Sequence, residues 1–554
     1  MNKYYVDPSV STNGIGTIES PFNSIDNAIA AGIQHPFTLH LKAGTVSKFS
    51  YSNNTTNSFF NNKTTVQSVI TRYGVGKKPI LTSDNNVRIL DAWVCQLKLE
   101  DLQVSPMPGS ERTAIYFNVV PIGNKSNQNI CNFTLNRIDF IGTPESIAGS
   151  NGKSRVFCLN ALADYGGSTN VAHKILVSNC RFDMLNAGIQ IRGNPRLSDT
   201  TTYHGDQMKS YGVRVINCSF TNIINSSVFL GWCASKNQSR DVINDDMESG
   251  VDGIYHSSYR YNVYDLVTKT AAADVPVWFS GARYLTFQNF EIHGAGPGYP
   301  DRQSFDFDYH CHYCLARYGF TSNNARGPMF IQGPFSNSWY SSQGYTPLSS
   351  DIYTLYFTLG FGCIGNVIEY VVSYNDGVGR TNRSSDTYWI KTAAYRYVYD
   401  CLVRNCVFID TVSSGNEWVI DVNPQADDSP TALSMTIDSC LFYWSNRTGT
   451  DVISSATVAR IGDLFAKFKL KNNLFFSEKW GGATPTFTKI LTENNKFVSP
   501  KFKNGVQMAT PAGIREVKEL VRLMSTSPCI SSGSPNANLD IWGNAGSNIG
   551  WEQS

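Results

Sequence analysis

Charge is scarce in this chain. Of its 554 residues only 16% are Asp, Glu, Lys or Arg, and 46 basic side chains against 44 acidic ones leave a formal net charge of +2. Without a basic field, neither nucleic acid nor an anionic membrane is gathered by bulk charge. Long apolar runs are also lacking. The most apolar stretch, "LYFTLGFGCIGNVIEYVV" (355–372), is broken by Asn366, Glu369 and three glycines, so it reads as two strands and a turn and not as a membrane insertion. The opening "MNKYYVDPSV" has neither a basic start nor an apolar segment, so no signal peptide is expected and the protein is expected to be soluble. Clustered cysteine pairs are absent too: thirteen cysteines, an odd number, lie in strand-like contexts, which favours reduced, buried thiols over a disulfide framework.

What the chain has is internal similarity. "VSNCRF" (177–182) recurs as "VINCSF" (215–220), "VRNCVF" (403–408) and "IDSCLF" (437–442), with looser copies "LNRIDF" (135–140), "LKNNLF" (470–475) and "TENNKF" (492–497). The cysteine slot falls at 138, 180, 218, 406, 440, 473 and 495, and the long gap holds degraded versions at "FQNFEI", "LARYGF" and "IEYVVS". A repeat of about 22 to 42 residues, built of β-branched and aromatic segments with a polar residue at a bend, predicts stacked coils. In each copy the first apolar residue faces in, Asn turns the corner, and Cys and Phe face in again. The expected fold is all-β, a right-handed single-stranded parallel β-helix with loops inserted at a corner; an evenly bladed propeller is the alternative.

Open coil ends invite pairing with other chains, so both ends should be covered. "SPFNSIDNAIAAGI" offers Ser20 as N-cap, Pro21 at the first helical position and Phe22, Ile25 and Ile29 at helical spacing. "GIREVKELVRLM" puts Ile514, Val517, Leu520, Val521 and Met524 on one helical face. The expected organisation is an N-terminal capping segment over 1–45, the β-helix over 46–500 and a C-terminal capping region over 501–554.

"YYVDPSVSTNGIGTIESPFNSIDNAIAAG" with the later "LHLKAGT" resembles the opening of the right-handed parallel β-helix family that includes pectate-lyase-like enzymes and bacteriophage tailspikes; "SPCISSGSP" and "DIWGNAGSNIG" are similar to its closing signature, and "IEYVVSYNDGVG" to one of its coils. The resemblance spans nearly the whole chain. It is specific for fold and weak for reaction type, since the family holds hydrolases, lyases, epimerases and non-catalytic adhesins. It implies a homotrimeric tailspike-type depolymerase of bacterial capsular polysaccharide, carried on a virion tail beside other tail or baseplate proteins and needing no cofactor.

The candidate chemistry lies in "QSFDFDYHCHYC" (303–314). Asp306, Asp308, His310 and His312 occupy alternate positions, with Phe305, Phe307, Tyr309, Cys311 and Tyr313 between them. An extended chain turns the first set to solvent and the second to the interior. Aligning "LARYGF" with "VSNCRF" gives the same parity, with Leu315 inward. Residues two apart on a strand, or side by side on neighbouring coils, provide the separations that glycoside hydrolysis needs. Asp306 and Asp308 are therefore the candidate acid and base, with Glu291 one coil earlier and Glu369 one coil later as further carboxylates, and His310 as base or orienting group. The plain alternative is that solvated acids and surface histidines do no chemistry.

Substrate contacts are expected from His312 and Arg317, from Trp339, Tyr340 and Tyr345 in a Gly/Ser-rich insertion, and from Arg380, Arg383 and Trp389, the arginines suiting a carboxylated sugar. A zinc site of His310, His312 and Cys314 lacks a fourth ligand, and no metal is expected. β-Elimination is the competing reaction, with Arg317 neutralising a uronate, His310 or His312 as base, or Asp306 and Asp308 holding calcium. A non-catalytic glycan-binding fibre is the competing function.

Overall fold

Short apolar segments separated by single left-handed residues determine how the chain winds. The computed structural model describes residues 1–49, 66–83, 90–92, 96–105, 114–119, 131–143, 157–163, 171–193, 210–231, 233–234, 252–260, 275–295, 303–308, 310–324, 327–332, 363–377, 388–393, 398–411, 418–422, 433–455, 457–458, 468–487, 490–505, 514–534 and 548–550. They fall into two units. The first comprises Met1–Arg196, Asp206–Lys236 and Val251–Ala273, and the second Leu197–Gly205, Asn237–Gly250 and Asp274–Ser554.

In the first unit each strand pairs in parallel with its counterpart one coil later. Asn2–Val6, Phe37–Lys42, Ser68–Tyr73, Gln96–Glu100, Cys131–Asn136, Val171–Ser178 and Ser210–Ile216 form one ladder. Beyond a left-handed residue the chain resumes in a short strand: Asp139–Ile141, Arg181–Asp183, Ser219–Thr221 and Ser258–Arg260 form the second ladder. Leu90–Ala92, Ile115–Val119, Phe157–Ala163, Ala187–Arg192 and Val228–Gly231 form the third. Three parallel strands per turn, with the right-handed crossover that twisted strands favour, make this a right-handed parallel β-helix.

The repeat explains the corner. Asn179 and Asn217 adopt φ of +54° and +52°, a region where Asn is several-fold enriched because its short side chain bonds locally. Asn217 Nδ2 donates to Asn179 Oδ1 at 2.7 Å, and Asn179 Nδ2 donates to Asn136 Oδ1 at 3.1 Å. Val177, Cys180 and Phe182 point in and are buried. The rings of Phe140, Phe182, Phe220 and Tyr259 stack coil on coil, with centroids 4.6, 4.7 and 5.0 Å apart.

The second unit is wound in the same way. Its long strands Thr286–His293, Leu315–Ser322 and Val367–Tyr374 contain the left-handed residue, which is Asn289, Tyr318 and Tyr370 in turn. Later coils split there, as in Val398–Arg404 and Val407–Asp410 around Asn405. Phe408, Phe442 and Phe475 stack at 4.9 and 5.0 Å inside. A separate ladder runs through Val277–Ser280, Phe305–Phe307, Met329–Gln332, Tyr388–Ala393 and Trp418–Val422.

On the outer side of this unit Phe320, Val372, Val407, Leu441 and Leu474 form an apolar strip. It packs with Phe502, Leu520, Val521, Cys529 and Ile549 of the C-terminal segment, whose helix is Ile514–Val521.

Three sequence expectations are corrected. The N-terminal helix is Ile25–Ala30 and its cap is Ser24, whose hydroxyl accepts from Asn27 N; Ser20 and Pro21 precede it, and Phe22 instead bridges to Val6. Met524 lies past the C-terminal helix and is exposed. "LARYGF" is shifted by one residue: Ala316, not Leu315, takes the inward slot of Ile368 and Val403, and Tyr318 takes the corner. Cys158, Cys180, Cys218, Cys233, Cys311, Cys314, Cys363, Cys401, Cys406, Cys440 and Cys529 are free and buried, and burial, against Ser527 and Lys496, pushes the Cys529 thiol up to about 12.

Candidate functional site

Phe305–Phe307 pairs with Val277–Ser280 on one side and Met329–Gln332 on the other. Phe305 packs edge-on against Phe287 and Phe290, and Phe307 stacks on Phe279. Both rings fill the interior, so alternation turns Asp306, between them, to the outer side of the strand. Trp278 and Phe330 are its register partners. Asp308 follows two residues on, its N–H donating to the Phe279 carbonyl at 2.8 Å.

Open exposure of the four titratable groups is not what is found. Asp306, Asp308, His310 and His312 are 5%, 9%, 6% and 5% exposed. Nor does the alternation run through to Leu315, because His310 and Tyr313 are left-handed, at φ +65° and +54°, and bend the chain twice. His312 is thereby carried into a parallel bridge between Arg283 and Ile364. Cys314 is fully buried, its thiol donating to the His312 carbonyl, and its N–H is held by Asn366 Oδ1. Among the described residues no three His, Cys, Asp or Glu side chains are grouped to hold a metal.

Glu291 and Glu369 do not join the Asp306 row. Glu369 lies on Val367–Tyr374 before its corner, in register with Arg317 and Arg404. It has no exposed side-chain surface, and its Oε2 accepts from Arg404 Nε at 2.8 Å and lies 2.7 Å from Nη2. Its Oε1 is 3.7 Å from Arg317 Nη1. The same register continues as Asp438, Lys471 and Glu493, giving a row of alternating charge along successive coils. Glu291 lies past its corner opposite Phe320, and its Oε2 is 3.5 Å from His293 Nε2; His293 Nδ1 is 2.8 Å from Ser322 Oγ.

Arg317, expected on substrate, is occupied within the fold. Its Nε donates to Gln288 Oε1 at 3.0 Å, its guanidinium lies 4.6 Å from the Tyr318 ring centroid, and the residue is buried. Trp389 is corrected more sharply: it has no exposure and packs on Phe408, Phe442 and Trp444. Trp339, Tyr340, Tyr345, Arg380 and Arg383 lie outside the described residues.

Sequence reasoning missed two groups. Tyr313, read as an inward ring, is half-exposed and stacks on Tyr284 at 5.3 Å. Its ring lies over Gly365, where a Cβ would come within 2.5 Å of it. Asp376 is fully buried, its Oδ2 accepting from Thr321 Oγ1 and Ser373 Oγ at 2.6 Å each and its Oδ1 from Asn324 N and Nδ2 at 3.0 and 2.8 Å. Burial outweighs these bonds and pushes its carboxyl up to about 6. The "ND" of "SYNDGV" was the one visible signal.

No family model matches the chain, and no curated protein matches it in sequence. Solved structures do. A lacto-N-biosidase of glycoside hydrolase family 136 from Eubacterium ramulus is 12% identical, with 79% of this chain and 68% of that one covered and a TM-score of 0.43. A pectate lyase is 10% identical over 100% of this chain and 96% of its own, with a TM-score of 0.34. A rhamnogalacturonan lyase is 12% identical over 78% and 90%, with a TM-score of 0.27.

Proposed function

We propose that this chain is a glycan-depolymerising β-helix protein that hydrolyses glycosidic bonds within a polysaccharide, with Asp306 and Asp308 as its acid and base. The observation that carries the reading is the strand Phe305–Phe307, whose two rings point inward and leave a carboxylate between them and a second one two residues on. Alternate Cα atoms on a strand lie about 6.5–7 Å apart, within reach of the roughly 6.5–9.5 Å carboxyl separation of inverting glycosidases. One carboxylic acid gives its proton to the glycosidic oxygen as the bond to the anomeric carbon breaks. The other carboxylate takes a proton from the water that attacks that carbon from the opposite face. The shielding of both side chains from solvent strengthens each electrostatic contact made there.

The substrate class, a bacterial capsular or related surface polysaccharide, and a tailspike-type homotrimer on a virion tail rest on the resemblance of the opening and closing segments. Hydrolysis is favoured over β-elimination because Arg317, the cation that elimination would use against a uronate, is already committed to Gln288 and Glu369.

The test is Asp306→Asn and Asp308→Asn, assayed for new reducing ends on capsular polysaccharides. Each should lose about 100-fold or more in rate, with unchanged unfolding midpoint and sedimentation mass. Full activity in both variants removes the assignment. The ultraviolet chromophore of an unsaturated uronate would move the reaction to elimination, and binding by the wild type without new ends would make the protein an adhesin.

A further inference from the structure

The outer side of the first three coils carries aromatic rings and charges that the carboxylate chemistry leaves unused. Tyr5 is in register with His40, and Lys42 with Tyr73. Alternation sends Tyr5, His40 and Lys42 outward, since Val6, Leu39 and Leu41 between them are fully buried, and Tyr73 joins them through its ring contacts. Tyr5 and His40 stack at 4.8 Å with ring planes 13° apart. Tyr73 lies 5.2 Å from Tyr5 and 6.5 Å from His40, nearly perpendicular to both. Were Tyr73 in line with the stack it would be ~10 Å from His40, the sum of the two Tyr5 spacings. It stands beside the stack, and the three half-exposed rings make a corner.

Polar groups converge on this corner. The Asp7 carboxylate, fixed by Ser9 N at 2.9 Å, takes the Lys42 ammonium. Burial, then the nearby Asp7 charge and Tyr5 phenol, pushes the Tyr73 hydroxyl up from its ordinary value. Opposite charges cancel locally, as Arg72 is paired with Asp101 at 2.7 Å, while Lys3 at the edge is exposed. Flat rings that cover sugar C–H surfaces, beside an ammonium that bonds hydroxyls, are the chemistry of carbohydrate recognition.

We propose that Tyr5, His40 and Tyr73, with Asp7 and Lys42, form a glycan-binding subsite for one pyranose unit of a neutral or weakly acidic polysaccharide. The sugar packs on the ring corner with Lys42, whose side chain is 44% exposed, donating to a sugar oxygen, while Asp7, buried and bonded by Ser9, holds that ammonium in place. The subsite does not depend on Asp306 or Asp308 and holds substrate without cleaving it.

Affinity electrophoresis of the full chain in native gels carrying dextran, polygalacturonate, alginate or a bacterial capsular polysaccharide tests this. The wild type should be retarded in at least one gel. Tyr73→Leu, which keeps apolar bulk and loses the ring, should weaken the apparent Kd about ten-fold, and Lys42→Met should weaken it similarly. Tyr73→Leu should keep the wild-type unfolding midpoint, Lys42→Met should lower it by stranding the buried Asp7 carboxylate and is compared well below its midpoint, and Asp306→Asn should bind as the wild type does. No retardation in any gel, or retardation of both variants equal to wild type, overturns the proposal. A changed sedimentation mass for Tyr73→Leu would make the corner a subunit contact and also overturn it.

Discussion

Glu369 has no exposed surface and stands between the guanidinium groups of Arg404 and Arg317. Removing one partner of a buried ion pair leaves the others charged and uncompensated, at a cost of about 3 kcal/mol. Glu369→Gln is therefore expected to lower the unfolding midpoint clearly while the remaining folded protein keeps its rate per molecule; a rate collapse without loss of stability would make Glu369 catalytic. Asp376 gives a second expectation at this scale. Its carboxyl is raised to about 6 in the folded state from 3.8, so the folded protein binds that proton more tightly than the unfolded one. Its contribution to stability is full below about pH 4 and is lost as pH rises through about 6, on the order of 3 kcal/mol in all. Asp376→Asn should flatten the stability profile between pH 4 and 6 in denaturant titrations, and an unchanged slope would refute this. Neither carboxylate's setting was legible in sequence, because "E" in "IEYVVS" takes its arginines from neighbouring coils and "D" in "SYND" takes all its partners but Ser373 from the coil before.

Among the elements, the corner shows what sequence can and cannot say. Asn179, Asn217 and Asn405 announce a left-handed residue because Asn tolerates that conformation, and the copies containing them align correctly. Tyr318 and Tyr370 adopt the same conformation against their own preference, held by the parallel pairing on both sides, and His310 and Tyr313 adopt it at the bends between strands. Local propensity is silent there, which is why "LARYGF" reads one residue out of register and why the alternation through 303–314 breaks. Gly319 marks the true register. A Cβ there would lie 2.1 Å from the Phe290 ring, itself stacked at 3.8 Å on Phe287 and edge-on to Phe305. Gly319→Ala should cost about 2 kcal/mol through overpacking. Gly449→Ala, where nothing lies within 4 Å, should be neutral within about 0.5 kcal/mol. Equal denaturation midpoints for the two variants would contradict the packing described for this coil.

At the scale of the whole chain, equivalent outward positions carry opposite chemistry in the two units. Asp139, Arg181, Ser219 and Ser258 occupy the start of the short strands in the first, and such side chains tolerate water. Phe320, Val372, Val407, Leu441 and Leu474 occupy it in the second, and they do not. The C-terminal segment answers that need: Leu520 and Val521 are 5% and 2% exposed against the strip. Burying two such side chains stabilises by roughly 1.5–3 kcal/mol each, so the segment holds by several kcal/mol while the coils beneath have their own ladders and ring stacks. Leu520→Asp with Val521→Asp is therefore expected to lift the segment without unwinding the coils. The variant should bind a hydrophobic dye and self-associate through the bared strip, since contiguous apolar patches of that kind drive association, while its far-ultraviolet strand signal persists. A variant that stays dye-silent would show the strip to be covered by other means, and one that loses its strand signal would make the C-terminal segment a condition of winding the second unit at all.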